Sequence, residues 1–175
     1  MEKRALLVID VQNYFINKFT NNIPGKIAKY LEINKTKFDY VLFFKFVNSR
    51  KSNWVRLSNW QKMFKSPEID IVPELNQFVN KNNLFTKTAF SCFKAKGFAD
   101  FVRNKKINDL YLCGLDTHAC IYCTAMEAYE LGFNIHVIAD LCAASHGLNY
   151  HLNSLKALKR NLGDKIIINS TTKII

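Results

Sequence analysis

Six short apolar runs alternate with longer stretches of helical periodicity, and this alternation limits the folds open to the chain. The apolar runs cover residues 5–9, 40–47, 84–86, 109–113, 134–138 and 166–168. The helix-like stretches cover residues 27–37, 71–80, 98–105, 121–131 and 152–161. Such strands and helices build βαβ units, whose right-handed crossovers place helices on both faces of a parallel sheet. We therefore predict an α/β protein with a three-layer αβα, Rossmann-like fold around a central, mostly parallel six-stranded sheet.

Length and composition favour one domain over residues 1–175, because 49% of the residues are hydrophobic and can form a substantial core. No run approaches the ~20 apolar residues that a membrane span needs. The start, Met-Glu-Lys-Arg, does not resemble a signal peptide. The five cysteines are an odd number and mostly occupy apolar or helical contexts, which suits a reducing cytosol. We expect a cytoplasmic protein.

The formal net charge of +11 raises the question of nucleic-acid binding. The lysines are dispersed over predicted helix faces and turns, however, and the sequence has no pure basic run, aromatic RNA-binding motif or zinc-finger spacing. We interpret the charge as a solvated basic surface. Neither a nucleic acid nor a membrane is expected as a partner.

Three predicted strands end beside side chains that can carry out chemistry. Asp10 follows the first strand and Lys87 the third, whereas Cys120 ends the sequence Gly-Leu-Asp-Thr-His-Ala-Cys between the fourth strand and a helix. The carboxyl ends of parallel strands share one edge, where α/β proteins build their sites. A helix start and a nearby lysine lower the pKa of a thiol, so we expect Cys120 to be the most reactive thiol. It is the candidate nucleophile, with Asp10 as base and Lys87 as electrostatic partner.

These motifs resemble those of the isochorismatase-like cysteine hydrolases, a superfamily that includes nicotinamidases and carbamoylases. The resemblance lies in Asp10-Val11-Gln12, Lys87 and the pattern Gly-x-x-Thr-x-x-Cys that ends at Cys120, and it extends over nearly the whole chain. It implies hydrolysis of an amide-type C–N bond in a small molecule through a Cys120 acyl-enzyme. It also implies a cis peptide bond just ahead of Asp116.

The turn formed by Leu115, Asp116 and Thr117 is the candidate oxyanion site, with the backbone N–H groups of Asp116 and Cys120 as donors. His118 stands only two residues before the cysteine, so its ring is not expected to act as the catalytic base.

Nicotinamidases bind a divalent metal through an Asp-x-His motif just past the second strand, but here that place reads Val47-Asn48-Ser49-Arg50. The sequence between residues 40 and 67 contains no aspartate, glutamate or histidine. His136, His146 and His151 show no ligand spacing. The absence of this Asp-x-His motif argues against nicotinamidase activity. We expect a metal-independent enzyme without a cofactor.

Other functions remain open at this point. True isochorismatases hydrolyse a vinyl ether, for which an aspartate protonates the substrate and no cysteine is required. Cys120 and Cys123 also have the Cys-x-x-Cys spacing of thiol oxidoreductases and zinc sites. A catalytically silent binding protein is a further alternative.

The candidate substrate-binding residues follow the first and second strands; they are Gln12, Tyr14, Phe15, Asn48, Trp54 and Trp60. Trp54, Leu57, Trp60 and Phe64 recur at helical spacing, which predicts an amphipathic helix. This helix could cover the core or a subunit contact, or could form a lid whose aromatic and cationic groups meet an anionic or aromatic substrate. We expect a homo-oligomer, either a dimer or a tetramer.

Overall fold

The computed structural model describes residues 2–174, and its strands form one six-stranded sheet. The strands are β1 (Lys3–Ile9), β2 (Tyr40–Phe46), β3 (Leu84–Lys87), β4 (Ile107–Gly114), β5 (Asn134–Cys142) and β6 (Ile167–Ile168). They lie in the order β3-β2-β1-β4-β5-β6, and every neighbouring pair is parallel. The predicted α/β fold is confirmed, and the sheet is parallel throughout.

Within residues 2–174 there are five α-helices: α1 (Ile23–Asn34), α2 (Asn53–Ser58), α3 (Phe98–Lys105), α4 (Tyr122–Glu130) and α5 (Leu148–Leu162). The right-handed crossovers from β1 to β3 and from β3 to β6 run in opposite directions across the sheet. They therefore place α1 on one face and α3, α4 and α5 on the other. Within residues 2–174, no helix has the length and apolar character needed to cross a bilayer.

β1 lies at the centre of the sheet, and the side chains of its last five residues are buried. A strand covered on both faces has to be apolar at every position, which explains the uninterrupted run Ala-Leu-Leu-Val-Ile. The crossovers leave β1 and its neighbour β4 in opposite directions. The carboxyl ends of these two strands therefore form a topological switch point, where open α/β sheets bind their ligands.

Gly114 ends β4 at the place where its backbone contacts β1. It has a φ of 115°, and a Cβ atom added there would lie 2.2 Å from the backbone oxygen of Ile9. The N–H of Leu115 donates to the same oxygen at 2.8 Å. Glycine alone fits this approach, so the turn that follows β4 is fixed directly against the end of β1.

The predicted helix over residues 71–80 is wrong for most of its length. A 3-10 helix occupies only Pro73–Phe78, and the chain becomes extended at Val79 before it enters β3. Val72 is extended, with a ψ of 147°, because the residue before a proline is disfavoured in the helical conformation. A helix therefore cannot begin before Pro73, and the extended Val79 ends the helical segment after Phe78.

The predicted amphipathic helix through Trp54, Trp60 and Phe64 is likewise wrong beyond Ser58. The side chain of Ser52 accepts a hydrogen bond from the N–H of Val55 and starts α2. Asn59 then adopts the left-handed conformation, with a φ of 49°, and ends the helix. Trp60 and Phe64 therefore lie in an irregular segment, where helical spacing no longer determines their direction.

Candidate active site

Three separate elements bring Asp10, Lys87 and Cys120 together at the carboxyl edge of the sheet. Asp10 directly follows β1, Lys87 is the last residue of β3, and Cys120 belongs to a π-helical turn, Thr117–Ile121, that leads into α4. Their relative exposures are 0%, 1% and 6%, so the group is almost completely withdrawn from water. The arrangement predicted from strand ends is thus present in the structure.

The ammonium group of Lys87 lies between the other two side chains. Its Nζ donates to Oδ2 of Asp10 at 2.6 Å, to Sγ of Cys120 at 3.4 Å and to the backbone oxygen of Ala89 at 3.0 Å. It also lies 5.6 Å from the ring centre of Phe46, the residue paired with Lys87 across β2 and β3. The long side chain thereby crosses β2 to reach the end of β1.

Asp10 has one carboxylate oxygen engaged and one free. Oδ2 accepts the hydrogen bond from Lys87, whereas Oδ1 is buried and has no hydrogen-bond partner among residues 2–174. The backbone at Asp10 is left-handed, with a φ of 50°, and its N–H donates to the carbonyl of Phe44 at 3.0 Å. Since this conformation costs a non-glycine residue about 1 kcal/mol, the surrounding structure must hold it in place.

Burial and charge together favour a protonated Lys87 and an Asp10 that binds protons more readily than usual. Burial raises the pKa of Asp10 above its usual value, although the positive charge of Lys87 acts in the opposite direction. Burial alone would lower the pKa of Lys87, but the negative charge of Asp10 outweighs it and raises that pKa. Lys87 therefore remains an ammonium ion at neutral pH.

The expectation that Cys120 has a lowered pKa is wrong. Burial raises its pKa well above the usual value, the Asp10 carboxylate raises it further, and Lys87 only partly compensates. Cys120 thus rests as a thiol and needs a base for activation. Burial also raises the pKa of Cys92 and Cys142 to about 12.

Gln12 and Asn48 do not lie where substrate-binding residues would. The amide of Gln12 is fully buried, donates to the carbonyls of Phe46 and Ile69, and accepts from the N–H of Phe46. The amide of Asn48 donates to the carbonyls of Trp60 and Lys62. Because backbone groups occupy both amides, these residues hold the loops around the site instead of facing a substrate.

An aromatic pocket lies in front of Cys120 and has a volume of about 440 Å³. Its lining residues are Phe15, Phe46, Trp54, Ser58, Trp60, Phe90, Asp116, His118, Ala119, Cys120 and His146. The rings of Trp54 and Phe90 meet edge to face at 4.6 Å, and those of Trp54 and Trp60 lie 6.0 Å apart. Trp54 and Trp60, together with the predicted Phe15, thus form a wall for an apolar or aromatic group.

Tyr14 supports this wall from behind. Its hydroxyl accepts a hydrogen bond of 3.1 Å from Nε1 of Trp60, and the two rings pack edge to face. Nε1 of Trp54 donates to the carbonyl of Thr88 at 3.2 Å. The hydrogen bond from Nε1, the only polar atom of an indole, therefore fixes the orientation of both Trp54 and Trp60.

The cations of residues 40–67 do not line the pocket, which argues against a lid that presents cationic groups to the substrate. In the part of the chain that the structure describes, no arginine or lysine is among the lining residues. Arg50 lies over the ring of Phe64, Arg56 donates to Asn53, and Lys62 lies near Glu68. The wall in front of Cys120 is aromatic and uncharged apart from Asp116 and the two histidines.

The turn before Cys120 is held by the loop that follows β5. The peptide bond between Leu115 and Asp116 is cis, as the family resemblance implies. The N–H and the hydroxyl of Ser145 both donate to the carboxylate of Asp116, and the N–H of Thr117 donates to the carbonyl of Ala143 at 2.9 Å. The loop that follows β5 therefore fixes the backbone groups proposed to bind an oxyanion.

Several pocket residues were not identified from the sequence: Phe46, Phe90, the side chain of Asp116, His118 and His146. Phe46 and Phe90 sit at the ends of apolar segments and have no distinguishing sequence signal. The rings of His118 and His146 lie 5.2 Å apart although 28 positions separate them. The two-residue spacing of Asp116 and His118, next to Cys120, was the one local signal available.

The metal position of nicotinamidases is not reproduced past β2. Residues 40–67 offer neither a carboxylate nor an imidazole, and the amide of Asn48 is engaged by backbone groups. These residues do not fit a divalent metal, whose usual ligands are carboxylates, imidazoles and thiolates.

Comparison with known proteins identifies the family. The model of the isochorismatase domain matches residues 4–169. The uncharacterized isochorismatase family protein YrdC of Bacillus subtilis (strain 168) is 26% identical over 148 residues, which cover 82% of this chain and 75% of that protein.

Two solved structures share the fold. N-carbamoylsarcosine amidase from Thermoplasma acidophilum superposes with a TM-score of 0.81 at 20% identity and covers 98% of each chain. Nicotinamidase PncA from Bacillus subtilis superposes with a TM-score of 0.80 at 23% identity, over 95% of this chain and 100% of that one. Since the isochorismatase model also covers nearly the whole sequence, this chain belongs to the isochorismatase family, whose members are hydrolases.

Proposed function

We propose that this protein hydrolyses an amide-type C–N bond of a small molecule through an acyl-enzyme on Cys120. The observation that carries the proposal is the buried ammonium of Lys87, which contacts both Oδ2 of Asp10 and Sγ of Cys120. A nucleophile, a base and a cation that stabilises the charged forms of both are the parts that covalent catalysis by a thiol needs.

In the first half-reaction, the free Oδ1 of Asp10 accepts the proton of the Cys120 thiol. The raised pKa of Asp10 makes this carboxylate a better base than an ordinary aspartate. The thiolate attacks the carbonyl carbon of the substrate, and a C–S bond forms. The tetrahedral intermediate then collapses as the C–N bond breaks, while Asp10 returns its proton to the departing amine.

The second half-reaction consumes one water molecule. Asp10 removes a proton from the water, whose oxygen attacks the thioester carbon. The C–S bond breaks, the carboxylic acid is released, and the sulfur regains its proton from Asp10. Lys87 keeps its charge throughout, because the pKa of Lys87 is raised by the negative charges beside it. Its part is electrostatic: it stabilises the thiolate and the aspartate in turn.

The oxyanion that forms in each half-reaction would be bound by backbone N–H groups of the turn before Cys120. Within residues 2–174, the N–H of Asp116 makes no hydrogen bond, so it is free to donate. The N–H of Cys120 is the proposed second donor. A fixed N–H group of this kind typically contributes 10²–10³-fold to the rate.

The aromatic pocket supports a planar or aromatic acyl group as the substrate class. Trp54, Trp60 and Phe90 offer ring faces and edges, and no lysine or arginine is available among the described lining residues to pair with an anion. N-carbamoylsarcosine amidase and nicotinamidase, which share the fold, are named for C–N bond cleavage. The thiol chemistry uses no metal, and we propose that it proceeds without one.

Vinyl-ether hydrolysis is a second candidate, because Oδ1 of Asp10 is buried without a hydrogen-bond partner among residues 2–174 and burial raises the pKa of this carboxyl. A carboxyl group that keeps its proton can protonate the vinyl carbon of such a substrate. Cys120 has no part in that reaction, so the Cys120→Ala variant separates the two functions.

The test is ammonia release from a panel of amides that includes nicotinamide, benzamide and N-carbamoylsarcosine. We expect at least one aromatic amide to be hydrolysed, and Cys120→Ala and Asp10→Asn each to lower kcat by about a thousand-fold or more. Cys123→Ala, a cysteine one helical turn away, is the matched control and should retain activity. Full activity in Cys120→Ala would contradict the covalent mechanism, and loss of activity in Cys123→Ala with retained folding would favour a redox pair.

A further inference from the structure

We propose that Asp116, His118 and His146 form a binding site for a divalent transition-metal ion such as Zn²⁺ in the wall of the aromatic pocket. One carboxylate oxygen of Asp116 and one ring nitrogen of each histidine lie within 4.8 Å of one another. Two imidazoles and a carboxylate are the ligands that Zn²⁺ and related ions take where they keep coordination positions open. The inference goes beyond the proposed hydrolysis, in which none of these side chains takes part.

Asp116 is positioned as a metal-ligating carboxylate would be. It is buried, with an exposure of 8%, and the N–H and hydroxyl of Ser145 hold its two oxygens. Each carboxylate oxygen has a further lone pair, so the anchored group can still coordinate an ion. Hydrogen bonds that fix a ligand from outside the coordination sphere are a regular part of metal sites.

His118 provides an observation that is independent of the cluster itself. Its Nδ1 atom is buried and has no hydrogen-bond partner among residues 2–174. A buried ring nitrogen without a partner is unfavourable and needs an explanation. A cation bound by this imidazole supplies one.

The contact between Ser145 and His146 indicates which ring nitrogen of His146 is free to coordinate. The hydroxyl hydrogen of Ser145 is donated to Asp116, so its oxygen is left to accept from Nδ1 of His146, which lies 3.3 Å away. A hydrogen on Nδ1 leaves the lone pair on Nε2. Fixing the tautomer through the second nitrogen is the usual arrangement for a ligating histidine.

The site would bring an ion to the substrate. Asp116, His118 and His146 all line the cavity that contains Cys120. Metal–ligand bonds are about 2.1 Å long, so the three ligand atoms have to move closer together when an ion binds. The side chain of the exposed His146 can rotate to allow this. With three protein ligands, a coordination position remains that a carboxylate oxygen of a bound molecule could fill.

The inference also revises one expectation from the sequence. His118 and His146 lack a recognisable ligand spacing along the chain, yet the turn after β4 and the loop after β5 bring their rings together. This donor set is separate from the metal position of nicotinamidases past β2.

The experiment is a titration of the chelator-treated, re-dialysed protein with Co²⁺, followed by its visible ligand-field absorption, and with Zn²⁺ by calorimetry. We expect one ion per chain and no sulfur-to-cobalt charge-transfer band. His118→Ala and His146→Ala should each weaken binding about ten-fold or more. His136→Ala is the matched control, because His136 also lies beside a carboxylate, that of Asp109, outside the pocket.

Cys120→Ala separates this site from a thiolate site and should bind Co²⁺ as tightly as the unaltered protein. Benzoate added to the cobalt complex should change its absorption, since it can fill the open position. The proposal would be overturned if the protein bound no stoichiometric Co²⁺ or Zn²⁺. It would also be overturned if His118→Ala and His146→Ala both bound the ion as tightly as the unaltered protein, or if Cys120→Ala lost binding. Because the readout is binding, failure of the amide assay would not affect this result.

Discussion

Nζ of Lys87 lies 2.6 Å from Oδ2 of Asp10, and both side chains are completely buried. A buried ion pair adds little stability by itself, but removal of one partner leaves an uncompensated charge and typically costs about 3–5 kcal/mol. The pair therefore links the stability of the protein to its chemistry.

We predict that Lys87→Met and Asp10→Asn each lower the free energy of unfolding by several kcal/mol, on the order of the cost of a broken buried pair. The double variant Asp10→Asn/Lys87→Met should be more stable than Lys87→Met, because it contains no buried charge. Urea denaturation measures all four proteins in a double-mutant cycle. Additive losses of stability would contradict the predicted coupling.

The pH dependence of Cys120 alkylation should reflect its raised pKa. Thiolate is the reactive form, and burial together with Asp10 raises the pKa of Cys120. The rate of iodoacetamide labelling at Cys120 should therefore keep rising through the alkaline range and show no plateau near neutral pH.

Asp10→Asn should shift that profile to lower pH, because it removes the negative charge but leaves Lys87 in place. The variant should label faster than the unaltered protein at neutral pH even though it has lost turnover. Asp100→Asn, an exposed carboxylate on α3, is the control and should leave the profile unchanged. A neutral plateau in the unaltered protein would show that Cys120 rests as a thiolate.

The aromatic wall should affect substrate binding. Trp54 lines the pocket, whereas Leu57, on the same helix α2, is 68% exposed and is not among the lining residues. Trp54→Ala should raise KM for an aromatic amide roughly 3–10-fold through lost ring contacts, and Leu57→Ala should leave KM unchanged. Equal effects of the two substitutions would argue against the pocket as the substrate site.

The Trp54→Ala variant also bears on assembly, for which a dimer or tetramer remains our prediction. Because Trp54 and Trp60 line the pocket, Trp54→Ala should leave the mass measured by light scattering unchanged. A lower mass in Trp54→Ala would indicate instead that the segment around Trp54 forms a subunit contact.

Gly114→Ala should destabilise the fold, because the added Cβ meets the backbone oxygen of Ile9 and the φ of 115° strains any other residue. We expect a loss of more than about 1 kcal/mol. Gly25→Ala, in the open and helical environment of α1, should be neutral or stabilising. Thermal unfolding of the two variants compares them directly, and a stable Gly114→Ala protein would refute the close contact between β4 and β1.

The sequence revealed those parts of the molecule that depend on local pattern and strand order. Continuous apolar runs marked the buried strands, and the positions at the ends of β1 and β3 and after β4 pointed to Asp10, Lys87 and Cys120. Parallel strands bring their carboxyl ends together whatever the details of the loops between them. This is why three distant residues could be assigned to one site.

The loops escaped prediction because their conformation depends on long-range contacts. The direction of Trp60 depends on the left-handed Asn59 and the hydroxyl of Tyr14, and neither relation is local to a helix. Gln12 resembled a substrate ligand because it follows Asp10, but its amide is occupied by the backbone at the end of β2. The pKa of Cys120 could not be inferred either, because burial outweighs the effect of Lys87.

The central claim is that Cys120 becomes acylated during hydrolysis. The most direct measurement is intact-mass and peptide mass spectrometry of the protein quenched during reaction with the 4-nitrophenyl ester of benzoic acid. We predict one benzoyl group on the peptide that contains Cys120, and none on that site in Cys120→Ala. A benzoyl group found instead on Cys123 or Cys92, or acylation that persists undiminished in Cys120→Ala, would contradict the claim.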